Sequence, residues 1–170
     1  MKWNESLSLK EEDIKTYERL IVIRRIIFPI EDDYEMTLKL SKICIEKDKF
    51  STCKLVLDRL QKDLQNCTLD DNKIKIRLAV SKCIHDNKDI NNKLDKAIET
   101  LQDILNNDIK NLDKLDKRLI SKIYCYIGMW RAEKIDKNLN EKDVNEILYY
   151  LKSSTKYNKK NYKACIKQLY

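Results

Sequence analysis

Few side chains in this sequence have the type and spacing to do chemistry. The single histidine, His85, follows Cys83 by two residues in "SKCIHDN". Residues two apart face different sides of a helix, and no second His or paired-Cys motif supplies the other ligands that a zinc site needs. His85 is read instead as a polar surface group near a helix end, where it suits the negative pole of the helix dipole. The six cysteines, Cys44, Cys53, Cys67, Cys83, Cys125 and Cys165, form no C-x-x-C pair, and most lie among apolar neighbours as reduced core side chains do. Gly128 is the only glycine, so neither a P-loop nor a dinucleotide fingerprint can be built. No kinase catalytic-loop or D-F-G sequence is present. The expectation is therefore a chain without catalytic residues, metal ligands, cofactor or small-molecule ligand.

Charge gives a weaker pointer. A net charge of +7 comes from 35 basic and 28 acidic residues, mostly interspersed as on solvated helix faces. Residues 152–170, "KSSTKYNKKNYKACIKQLY", are the exception, with six lysines, no acid and interleaved tyrosines. Such a stretch could stack single-stranded RNA. It lacks arginine, however, and its tyrosines also fit a helix-packing stripe, so nucleic acid ranks last among the partners considered. Two N-x-S/T sequons, at Asn4 and Asn66, hint at secretion, but "MKWNESLSLKEED" has no apolar signal region. "LIVI" is cut short by Arg24 and Arg25, too soon for a membrane span. The chain reads as soluble, reduced and cytoplasmic, with no membrane insertion.

One Gly and one Pro in 170 residues leave almost nothing for hairpin turns or bulges, so the elements that position these side chains must be helices. The first opens at the capping box Ser8-Leu9-Lys10-Glu11, buries Ile14, Tyr17, Ile21 and Phe28 with Leu20, Ile23 and Ile27 beside them, and stops at Pro29. A second spans about 32–47. A third, about 50–65, sets Phe50, Cys53, Leu57, Leu60 and Leu64 on one face. A fourth follows "NCTLDDN" and a fifth "NKDINN". A sixth starts near Leu112 and ends at Gly128, which is read as a left-handed stop. The seventh opens at Asn140 and buries Val144, Ile147, Leu148 and Leu151; an eighth begins near 160.

"SKICIEKDKF" at 41–50, "SKCIHDNKDI" at 81–90 and "SKIYCYIGMW" at 121–130 begin 40 residues apart. Each copy is read as closing one helix, crossing a turn and delivering Phe50, Ile90 or Trp130 near the start of the next segment. That is the signature of stacked helical hairpins, none of which can bury its apolar face alone. The fold expected is all-α: a TPR/HEAT-like α-solenoid of about eight helices. Its hairpins would lie near 32–65, 70–107 and 112–138, with final helices at 140–157 and 160–170, in a single helical-repeat segment over 1–170.

Both ends of the chain resemble the FAT domain of the phosphatidylinositol-3-kinase-related kinases, and within it that of the target of rapamycin (TOR) kinases. In residues 17–60, Ile23-Arg24, Pro29, Glu31, Asp32, Leu38, Lys39 and Cys44 fill the family's places. In residues 121–164, Gly128 and Trp130 look like its Gly-x-Trp turn, and Tyr150, Thr155, Tyr162, Lys163 and Ala164 look like its Tyr…Tyr-Lys-Ala stretch. Thr37 and Cys165 depart from it where the family usually has Trp, Cys53 where it has Ala, and Ile166 where it has His.

The resemblance implies a non-catalytic helical scaffold that wraps a serine/threonine kinase domain and joins protein partners, namely that kinase domain and TOR-complex-like subunits. The chain would be a fragment of such a kinase, in growth and nutrient signalling. The alternatives are a free-standing TPR-like interaction module and, behind it, an RNA-binding helical protein. The structural or interaction candidates are Phe50, Gly128, Trp130, Tyr150, Thr155, Tyr162, Lys163 and Ala164. Trp130 and Tyr162 are read first as packing between successive hairpins and second as partner contacts. Cut solenoid ends should leave apolar surface exposed around Trp3 and Tyr17 and from Tyr162 to Tyr170.

Overall fold

A computed structural model of the chain describes residues 14–28, 30–63, 70–108, 115–135 and 140–159. Those residues form seven α-helices: α1 (Ile14–Ile27), α2 (Ile30–Glu46), α3 (Phe50–Asp63), α4 (Asp70–Asp86), α5 (Lys93–Asp103), α6 (Lys117–Lys134) and α7 (Glu141–Tyr157). No strand occurs among them. Two compact units divide the chain, Met1–Thr68 with α1 to α3 and Leu69–Tyr170 with α4 to α7.

In the first unit α2 and α3 form a hairpin whose turn rests on Asp48, at φ 55°. A short polar residue tolerates this left-handed conformation, and the Lys49 N–H closes the turn onto the Cys44 carbonyl at 2.7 Å. Of the seam expected on α3, Cys53, Leu57 and Leu60 are buried, Phe50 at its start is half-buried, and Leu64 lies outside the described residues. Each fully buried leucine contributes about 1.5–3 kcal/mol relative to exposure. Helix α1 packs on α2 through Ile21. The broad apolar stripe expected along α1 is not all buried, since Ile23, Ile27 and Phe28 are exposed together with Val22 and Ile26. Pattern alone calls such a helix buried all round, but here only one side has neighbours.

In the second unit α4 and α5 form the next hairpin, and its turn again ends on a left-handed polar residue, Asn92 at φ 56°. A π-helical turn, Ile104–Asp108, extends α5 and keeps Ile104 in the core. The third hairpin differs from the expectation of one near 112–138. Residues 117–134 are one uninterrupted helix, α6, started by the Asp116 side chain accepting from the Arg118 N–H, and α6 pairs with α7. Gly128 is accordingly not a left-handed stop but lies inside α6. Asn140 caps α7 as its sequence suggests, taking the Asp143 N–H at 2.8 Å. Ile147 and Leu151 are buried, whereas Val144 and Leu148, expected inside, sit at the exposed edge. The capping box at Ser8 and the helix from about 160 lie outside the described residues.

Candidate functional site

The 40-residue period has a structural cause. Helices α2 and α4 are 17 residues each and start at Ile30 and Asp70, 40 residues apart. In all three hairpins the repeated serine is buried in the first helix and faces a small residue of the second. Ser41 offers its carbonyl to the Cys53 thiol, Ser81 donates to the Ala97 carbonyl at 2.9 Å, and Ser121 donates to the Ser154 carbonyl at 2.7 Å. Ser154 returns the bond to the Ser121 carbonyl at 2.8 Å. At Ser81 and Ser121 a buried hydroxyl satisfied by the facing backbone lets two helices approach closely without an unpaired polar group, whereas the Ser41 hydroxyl donates to the Leu38 carbonyl of its own helix. Of the bulky residues that end each copy, only Phe50 opens a helix. Ile90 lies in the α4–α5 turn, and Trp130 lies inside α6 because that helix starts late relative to the period.

Most of the described candidate residues meet on the α6–α7 hairpin. A Cβ on Gly128 would come within 2.8 Å of Leu151 Cδ2 and 3.4 Å of Tyr150 Cβ, so the glycine marks the point where α7 presses on α6. Tyr150 accepts a hydrogen bond from Gln102 at 3.0 Å and lies beneath the Arg131 guanidinium. Tyr124 packs between Tyr150 and Tyr157. Burial, and after it the phenols of Tyr149, Tyr157 and Tyr150, push the Tyr124 hydroxyl above its ordinary range. Thr155 bonds back to the Lys152 carbonyl within its own helix. Phe50 belongs to the first unit, and Tyr162, Lys163 and Ala164 lie outside the described residues.

Trp130, 4% exposed, lies in the core of the second unit. What the sequence concealed is its partner. His85 lies in the last turn of α4, and its partly exposed side chain, at 19%, also stacks on Trp130 with centroids 4.5 Å apart, between Asp86 Oδ1 at 2.6 Å and Glu133 Oε2 at 3.0 Å. On the next turn of α6, Tyr126 stacks on Trp130 and carries Lys82 of α4 over its ring. Only the Ser-Lys repeat signalled the serine crossings, and no local signal marked the His85 stack, whose members are 45 residues apart.

This hairpin is equipped to hold helices together and to present surface. Among the described residues no group of three or more His, Cys, Asp or Glu could hold a metal ion, and no helix is long and apolar enough to cross a membrane. Cys44, Cys53, Cys83 and Cys125 are buried thiols. Of the tyrosines in the lysine-rich stretch 152–170, Tyr157 is packed against Tyr124, and Tyr162 and Tyr170 lie outside the described residues.

The family model of the FAT domain matches the chain over residues 1–167. No curated protein and no solved structure matches the chain.

Proposed function

The chain belongs to the FAT domain family, the helical scaffold segments of the PIK-related kinases, and within that family we propose that it serves a TOR-like serine/threonine kinase. In this reading the helices brace a kinase domain and join it to complex subunits in growth or nutrient signalling, in the reducing cytoplasm that suits four buried thiols. One observation carries the finer assignment. The two TOR-like stretches of the C-terminal half, Gly128 with Trp130 and Tyr150 with Thr155, lie on the paired helices of one hairpin, with Gly128 against Tyr150. Motifs that meet in space are expected of one inherited packing unit.

The test is to sequence the transcript through and beyond the codon for Tyr170. A frame that continues into a rapamycin-binding segment and a kinase domain would bear out the TOR-like assignment. A stop codon at 171 would leave a free-standing helical interaction module.

A further inference from the structure

We propose that His85 is a proton-binding joint between the second and third hairpins: with a second proton on its ring it fastens the end of α4 to α6, and it loosens that attachment when the proton leaves. This joint belongs to the chain itself and does not depend on the kinase assignment. The pair of acceptors around the ring carries the inference. Nδ1 lies 2.6 Å from Asp86 Oδ1 on α4 and Nε2 lies 3.0 Å from Glu133 Oε2 on α6, so each ring nitrogen meets a carboxylate oxygen. A neutral imidazole carries one N–H and one lone pair, whereas the imidazolium donates from both nitrogens. Only the charged ring satisfies both contacts; the neutral ring turns a lone pair toward one carboxylate.

The surroundings favour the same form. The ring lies nearly parallel to the Trp130 indole, with 14° between planes, the placement in which a cation is drawn to an aromatic face. It also sits in the last turn of α4, where the helix dipole favours positive charge. Loss of water around a side chain 19% exposed opposes the charge, and these contacts offset that cost. The nearby cations are engaged elsewhere: Lys82 lies over the Tyr126 ring, Arg131 is bonded to Glu146 of α7, and Lys134 pairs with Asp95 of α5. Among the described residues, Lys88 and Asp89 of the turn beyond α4 and Lys93 of α5 form no hydrogen bond or ion pair with His85.

His85 is the only histidine, so between about pH 5 and 8 no other side chain ordinarily changes charge. A proton held more firmly by the fold than by the unfolded chain stabilises at low pH, and that contribution is lost as pH rises through this window. The experiment is urea unfolding of the full 170-residue chain at about pH 5.5 and about pH 8, followed by tryptophan emission in a Trp3→Phe background that leaves Trp130 as the only indole. The folding equilibrium constant of the second unit should be about 3-fold or more larger at the lower pH. Emission of the folded protein should fall as the pH is lowered, because a stacked imidazolium accepts an electron from the excited indole. His85→Phe keeps the stack and removes both nitrogens, and should abolish both pH dependences. Glu133→Gln, at a half-exposed position, should reduce the dependence of stability on pH and keep the quenching. A stability that stays level or rises toward the higher pH would overturn the proposal. So would a pH dependence that persists in His85→Phe or keeps its full size in Glu133→Gln.

Discussion

Helices α1 and α6 carry the same kind of sequence, apolar on more than one side, and meet opposite fates. Helix α6 lies among α4, α5 and α7, and buries Leu119, Ile120, Ile123, Ile127 and Trp130. Helix α1 buries Ile21 and leaves Val22, Ile23, Ile26 and Ile27 in solvent. Apolar content therefore states how much surface a helix can bury, and only its neighbours decide how much it does.

The largest expected effect separates the two helices most sharply. Trp130→Ala should cost about 3–5 kcal/mol and unfold the second unit in mild urea, whereas Ile26→Ser on α1, at a position 82% exposed, should stay within about 0.5 kcal/mol of wild type. Equal shifts of the two urea midpoints would break the comparison. Next comes the closest approach of α6 and α7. Gly128→Leu should cost about 1–3 kcal/mol by overpacking against Leu151, while Gly128→Ala should cost less, about 1 kcal/mol or under, since helix propensity offsets part of the squeeze on Leu151 Cδ2 and Cγ and on Tyr150 Cβ. Thermal melts of both variants check this, and a silent Gly128→Leu would count against the contact.

Removing one crossing hydroxyl is smaller still. Ser121→Ala should lower stability by about 0.5–1.5 kcal/mol and leave the Ser154 bond to the residue 121 carbonyl intact, so a double variant with Ser154→Ala should lose more than the single one. The smallest effect appears only in alkali. The Tyr124 hydroxyl titrates above its ordinary value of 10.0 because the fold favours the neutral phenol. Its contribution is therefore fully present below pH 10 and is lost as pH rises through the raised value. Tyr124→Phe should flatten the alkaline decline of the second unit's urea midpoint, and a profile parallel to wild type would contradict the assignment.

What could be read from the sequence was whatever local spacing encodes. The positions of Cys53, Leu57 and Leu60 follow helical periodicity, and the Asn140 cap of α7 announces itself within four residues. Gly128 was misread because local rules offer the only glycine as a helix stop, whereas its role is set by Leu151, 23 residues later and across a turn. The left-handed turns fell instead on Asp48 and Asn92, which no glycine marked. His85 was hidden for the same reason, since a lone polar residue near a helix end says nothing of the tryptophan stacked on it.

The serine crossings also bear on how such a chain can change length over time. Measured along the sequence, the partners lie 12, 16 and 33 residues apart, yet the serines themselves keep their even spacing. The differences come mainly from how far the helices run on past the crossing, the first of each pair to Glu46, Asp86 and Lys134, so each hairpin is registered by a point of contact and not by the length of its helices beyond it. Whole turns of helix beyond the crossing can therefore be gained or lost at the closed end of a hairpin without moving the serine contact, so hairpin length is where descendants of this repeat should differ first.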